Sequence, residues 1–178
     1  DGTTLVSTGA IDAKNLRHLG AELAVQRDNL LIQTEVFDIA VERRNAAAGV
    51  SDPKFGGWYA EAGLVLTGES RRYNASTFAF DAPAIAHPFD PKAGKWGAWE
   101  LAVRWSNTDL NWHTTQLATT TQLAGVLGGQ EQVIALALNW YLNRNVRVMI
   151  DDNIVHVKKG TAALPDRDGQ NLNIVGVR

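Results

Sequence analysis

The chain has 178 residues, a formal net charge of −2 from 17 Lys and Arg against 19 Asp and Glu, and no cysteine. That length suits one ordinary domain, the charge balance argues against a general nucleic-acid binder, which carries a basic excess, and the missing thiols exclude disulfide frameworks and cysteine metal sites. No run approaches the roughly 18 apolar residues of a membrane helix, but a membrane β-barrel stays open, because lumen and loops dilute its apolar face.

The opening DGTTLVSTGAIDAK has neither the basic nor the apolar region of a signal peptide, as expected of a mature chain or of one cut from something longer. A strand is expected at 3–8. HLGAELAVQ (18–26) alternates, with Leu19, Ala21, Leu23 and Val25 on one face and His18, Gly20, Glu22, Ala24 and Gln26 on the other. After an RDN turn (27–29), LLIQTEVFDIAVE (30–42) returns with Ile32, Thr34 and Val36 opposite Gln33 and Glu35. Its phase slips near Phe37, which suggests a bulge.

A loop at 45–57 leads into WYAEAGLVLTGE (58–69), where Trp58, Ala60, Ala62, Leu64 and Leu66 oppose Tyr59, Glu61, Gly63, Val65 and Thr67. The stretch 70–95, which holds Pro83, Pro88 and Pro91, is irregular, and nothing in its pattern accounts for its length. GAWELAVRW (97–105) alternates almost perfectly. Trp99, Leu101, Val103 and Trp105 share one side, and Ala98, Glu100, Ala102 and Arg104 the other. A polar loop is expected at 107–128, with the one candidate helix at 114–127 inside it. EQVIALALNWYLN (131–143) and VRVMIDDNIVHVKK (146–159) read as a hairpin across Asn143–Arg144–Asn145, and a last strand starts near Gln170.

These segments make about eight strands, nearly all joined as hairpins, with short turns tending to alternate with long loops. Soluble sandwiches have no reason to segregate their short connections to one end, whereas transmembrane barrels do. By that parity 70–95 falls on the short-turn side. Trp99 and Trp105 are six residues apart, about 20 Å along a strand and roughly 14 Å of height at 45° tilt, within an apolar band of about 25 Å. Trp58, Trp99, Trp105 and Trp140 are therefore the candidate membrane-interface aromatics. The segment 131–140 is apolar on both sides, which fits a strand buried on both faces of a soluble protein, a wall strand with a loop folded against its inner side, or one that meets a neighbouring subunit. From the strands alone a soluble β-sandwich and a membrane barrel stand about even.

Catalytic patterns are missing. His18, His87, His113 and His156 have no metal-ligand spacing, Asp151 and Asp152 face opposite ways in a strand, PDRDG (165–169) lacks the later ligands of a Ca²⁺ loop, and Asn74-Ala-Ser76 matters only in a eukaryotic secretory setting. No enzyme activity and no cofactor are expected.

LVSTGAID (5–12), GAELAVQRDNLLIQTEV (20–36), GGWYAEAGLVLTGESRRY (56–73), GAWELAVRWSNTDLN (97–111) and LNWYLNRNVRVMI (138–150) together resemble, in order and spacing, the C-terminal half of the phosphate-selective porin O and P family. The resemblance implies a 16-stranded antiparallel transmembrane β-barrel, of which residues 1–178 supply the C-terminal part, about half. It also implies a homotrimer in a Gram-negative outer membrane, in contact with bilayer lipid and lipopolysaccharide, that passes anions such as phosphate by diffusion. On that reading Tyr59, Glu61, Arg71, Arg72, Glu100, Arg104 and Arg147 line the pore or the anion path. Glu22 and Glu35 face the same way. Glu100 and Arg104, about 13 Å apart along one strand face, cannot pair with each other, so each needs a neighbouring-strand partner. Two departures stand out. Asp152-Asn153 replaces an NY-like pair, which puts an acid on the outer face, where it belongs near an edge or in a subunit contact. QRDN replaces a Gly-Pro turn. A soluble β-sandwich, or a small eight-stranded anchor barrel, is the alternative.

Overall fold

The structure is a computed structural model that describes residues 4–44, 46, 51–114, 125–160 and 169–178. It is an all-β antiparallel fold. The strands are β1 (Ala13–Arg27), β2 (Leu30–Arg43), β3 (Lys54–Val65), β4 (Arg71–Asn74), β5 (Ala79–Pro83), β6 (Ala98–Trp112), β7 (Val126–Asn143), β8 (Val146–Lys158) and β9 (Asn171–Val177). Seven of them form one sheet in the order β1-β2-β3-β6-β7-β8-β9, every neighbour antiparallel, while β4 and β5 make a separate hairpin.

Local chemistry explains the tight ends. Asp28, at φ 52°, makes the left-handed step between β1 and β2, a conformation that Asp and Asn tolerate. Asn29 Nδ2 then donates to Val65 O at 2.8 Å, which fastens this turn to the end of β3. Between β7 and β8, Asn143 Oδ1 accepts from the backbone N–H groups of Asn145 and Val146 at 2.9 and 3.1 Å, an Asx turn that replaces a backbone hydrogen bond. Both short turns lie at the same end of the sheet as the 66–97 connection.

Register carries the hydrophobic pattern across the whole sheet. Leu30, Leu64, Leu101, Leu138, Ile150 and Val177 are successive cross-strand partners, and Val25, Ile32, Ala62, Val103, Leu136, Asp152 and Val175 form the next row. The apolar members of both rows remain largely uncovered in this chain: Val25 is 55% exposed, Leu101 50% and Ile150 48%. The opposite face is polar and carries the β4–β5 hairpin; it is called the inner face below.

Several expectations from the sequence are corrected. Residues 4–8 are not a strand; instead the Ser7 N–H donates to Gly128 O, which lays this segment against the start of β7. No bulge occurs at Phe37, because β2 keeps unbroken register with β3 from Leu30 to Ala40. The environment changes there instead. Beyond Val36 the apolar residues turn inward, where Val41, Phe55 and Val126 form a small core with Ile11, Ala13, Ile39, Leu110 and Trp112 at the long-loop end. The polar segment 107–112 continues β6 rather than opening a loop, since its backbone stays paired to β3 and β7 above the apolar rows. Of the candidate helix, 115–124 lies outside the described residues, and Val126 and Leu127 begin β7. The irregular stretch after residue 70 contains the hairpin.

Gly97 sits at φ +70°, where a Cβ would come 2.2 Å from Tyr141 O, so only glycine lets the chain enter β6 against β7. Gly94 has a similar φ of +68° with open space around it. Gly97→Ala is expected to lower stability by about 3 kcal/mol or more, and Gly94→Ala by only about 1 kcal/mol, as read from urea unfolding of the detergent-solubilised protein.

Candidate functional site

The inner face is organised around one carboxylate. Glu100, on β6, is 2% exposed and accepts from Asn139 Nδ2 at 3.0 Å and from the Tyr141 hydroxyl at 2.8 Å, both on β7. Its other oxygen receives Arg71 Nη2 of the hairpin in a direct ion pair. Gly63 on β3 makes the room, since a Cβ there would stand 2.6 Å from Glu100 Oε1. Burial works against the Arg71 charge, but the hydrogen bond and field of Glu100 outweigh it and hold the guanidinium above its ordinary value.

Arg71 also fixes the hairpin. Gln26 of β1 donates to Arg71 O at 2.8 Å and accepts from Arg71 N at 3.1 Å, as a strand partner would. Arg71 Nη1 donates to Asp81 O at 3.0 Å, which ties β4 to β5. Tyr73 and Phe80 meet edge to face at 5.2 Å. A cavity of about 250 Å³ is left between hairpin and wall, lined among others by Phe80, Ala135, Ala137, Arg104 and Arg147. The apolar inner side of β7 thus faces an element folded onto the sheet, one of the explanations its sequence left open.

The remaining charges sort into held and open groups. Arg104 Nη1 lies 3.0 Å from Glu61 Oε2 on the adjacent strand, and its guanidinium sits 3.8 Å over the Tyr59 ring. Glu61 also accepts from Gln33 Nε2 at 2.5 Å. Arg147 has no carboxylate partner among the described residues. It lies 5.5 Å from the Tyr141 ring centre, with Nη1 3.5 Å from the Tyr141 hydroxyl. Arg72 is exposed at the hairpin's edge. Glu22 and Glu35 are direct cross-strand partners on the inner face.

Of the residues named from sequence, Tyr59, Glu61, Arg71, Glu100, Arg104 and Arg147 are gathered on or against this one face; Arg72 is the outlier. Sequence reasoning missed Gln26, Asn139 and Tyr141 as site residues. The signal for the last two was present: Trp140 in the outward phase puts its neighbours Asn139 and Tyr141 in the inward one.

On the outer face the four tryptophans form two pairs. Trp99 stacks on Trp140 at 5.0 Å near the short turns, and Trp58 meets Trp105 edge to face at 4.9 Å further along the strands. Phe89 and Trp96, from the 84–97 segment, extend the first pair: Phe89 lies 5.3 Å from Trp140, and Trp140 Nε1 donates to Trp96 O at 2.7 Å. Among the described residues no group of three or more His, Asp or Glu is placed to hold a metal.

An antiparallel sheet with an uncovered apolar face between aromatic pairs, and a polar face behind it, has the pattern of a transmembrane β-barrel wall. The chain matches the family "Phosphate-selective porin O and P" over residues 1–178 and belongs to it. It is 28% identical to Porin O of Pseudomonas aeruginosa over 120 residues, covering 67% of this chain and 25% of that protein. It is 27% identical over 177 residues to an uncharacterized protein of Caulobacter vibrioides, covering 98% of this chain and 31% of that protein. The chain therefore spans less than a third of either relative.

Because Glu100 is buried and Arg71 is mostly covered, Glu100→Ala leaves a guanidinium without its counter-ion and is expected to cost about 3 kcal/mol. It should also free the hairpin to tryptic cutting at Arg71 and Arg72. The more exposed Arg104–Glu61 pair contributes less, and Arg104→Ala is expected to cost no more than about 1 kcal/mol and to leave that segment resistant. Urea unfolding and limited trypsinolysis of the same preparations check both outcomes.

Proposed function

We propose that this chain is part of the wall of an outer-membrane diffusion porin of a Gram-negative bacterium, in the C-terminal part of a single barrel domain. Small solutes pass along its inner face, anions such as phosphate being favoured, and the barrel works as a homotrimer in bilayer and lipopolysaccharide. Family membership supports the channel reading. The observation that carries it is the two-sided sheet: apolar rows in register across seven strands on one side, charged side chains and an inward-folded hairpin on the other. A soluble sandwich would cover those rows with a second sheet, and among the described residues the only other sheet is the β4–β5 hairpin, which lies on the opposite face.

In this reading Trp99 and Trp140 with Phe89 and Trp96 anchor one membrane interface, and Trp58 with Trp105 the other. The hairpin narrows the lumen, and the ion pair between Arg71 and Glu100 sets how far it projects. Tyr59, Glu61 and Arg104 brace the wall more than they select, since the cation is already matched by a carboxylate. Arg147 is the inner-face cation left to meet a passing anion, where a low-dielectric wall focuses its field.

Planar-bilayer recording of the full-length protein tests this. The expected result is an open channel with a modest anion preference. Arg147→Ala should reduce the anion-to-cation permeability ratio by roughly twofold, while the neutral double change Glu61→Gln with Arg104→Gln should leave it unchanged. No conductance, or a strong cation preference in the unmodified protein, contradicts the proposal.

A further inference from the structure

The outer face changes character at one level. Trp105, Ile134 and Ile154 form the last apolar row on β6, β7 and β8. The next two outward rows, toward the long loops, are Asn107, Gln132, His156 and Asn171, and then Asp109, Gln130 and Lys158. On β8 the inward residues here, Val155 and Val157, are buried, so the two faces have exchanged polarity. His156 stands ten residues along β8 from Val146. That is about 33 Å of strand and about 23 Å of height at 45° tilt, the far edge of an apolar band about 25 Å tall.

Asn107, Gln130, Gln132, His156 and Lys158 line a pocket of about 240 Å³ at this edge. His156 Nδ1 lies 2.5 Å from Asn171 Oδ1, and with that nitrogen as donor Nε2 is left for a ligand. Lys158 is exposed. The side-chain amides of Asn107, Gln130 and Gln132 make no hydrogen bond among the described residues. Asp109, the acid of the second row, has Oδ1 turned to the Asn111 N–H at 2.9 Å. Arg17 and Lys54, on either side of Ala40, carry the cationic rim on across β1 and β3.

A pocket on the outer face cannot serve a solute in the lumen. At the edge of the hydrocarbon it meets lipid headgroups, and in a barrel the long loops mark the external side. An ammonium and an imidazole supply strong hydrogen bonds to phosphate, and basic pockets at this level suit anionic headgroups. Neutral amides suit sugar hydroxyls. We propose that this pocket binds the phosphorylated glucosamine headgroup of lipopolysaccharide in the outer leaflet, with Lys158 and His156 on the phosphate and the three amides on the sugar. The inference rests on the outer-membrane porin reading above and adds a lipid site on the outer wall.

Thermal unfolding of the full-length protein in nonionic detergent, followed by tryptophan fluorescence, tests it with lipid A as the probe. Lipid A is expected to raise the unfolding midpoint, and lipid A stripped of its phosphates, or inorganic phosphate alone, to raise it much less. His156→Gln with Lys158→Gln should lose about half of the lipid A shift or more, and Lys158→Arg should keep it. Lys92→Gln with Lys95→Gln, an equal loss of charge in the connection at the short-turn end, should also keep it. An undiminished shift in the 156/158 variant overturns the proposal, as does an equal loss in the 92/95 variant. Dephosphorylated lipid A or inorganic phosphate acting as strongly as lipid A overturns it too. Planar-bilayer conductance of the unmodified protein separates the two levels: a conducting protein indifferent to lipid A defeats this inference and leaves the porin reading standing, whereas a silent one defeats the porin reading itself.

Discussion

A strand offers its side chains alternately to two faces, and a slip of one residue sends every side chain to the wrong one. Seven strands here stay in a common phase, so Leu30 of β2 and Val177 of β9 belong to the same apolar row although 147 positions separate them in sequence. Everything else depends on that phase. It gathers the aliphatic residues into one continuous surface and leaves Glu61, Glu100, Arg104 and Arg147 together on the other. It also brings the tryptophans of separate strands close enough to stack. Backbone ladders on both sides satisfy the N–H and C=O groups of β2, β3, β6, β7 and β8, the condition any segment crossing hydrocarbon must meet, while β1 and β9 are paired on one side.

The inner face is built in depth rather than as a flat charged wall. Glu100 lies at the bottom, covered by Arg71, with Asn139 and Tyr141 completing its hydrogen bonds. Such a carboxylate is stable only while the hairpin sits over it, and the hairpin has its position only because the carboxylate and Gln26 hold it. Arg104 and Glu61 form a second, shallower pair beside the cavity. The charges therefore fall into two kinds: matched pairs that fix shape, and a small remainder among the described residues, Arg147 foremost, without a carboxylate partner.

The main strands were legible in the sequence because each carries its own alternation, as in GAWELAVRW. Their limits were less so. The apparent slip at Phe37 is no defect of the strand: the apolar surroundings switch from the outer face to the inner core around Val41 and Phe55, and a pattern read as one environment cannot show that. Trp112 ends a strand whose last polar residues looked like loop, because backbone pairing continues beyond the apolar rows. The β4–β5 hairpin was invisible for a different reason. It is short, and its place is set by contacts with Gln26 and Glu100, 45 and 29 positions away from Arg71. The cross-strand partner of Arg104 was foreseeable once pairing was required; the partner of Glu100, coming from that hairpin, was not.

Period two across β6 tests the account most directly. Single cysteines placed in turn at Leu101, Ala102, Val103 and Arg104 of the full-length protein in bilayers would be challenged with a water-soluble thiol reagent and with a lipid-borne quencher of a thiol label. The account requires reaction with the aqueous reagent at 102 and 104, and quenching from lipid at 101 and 103. Aqueous reaction at all four positions, or the opposite alternation, would contradict a wall with its lipid face on the leucine rows and its lumen on the side of Glu100.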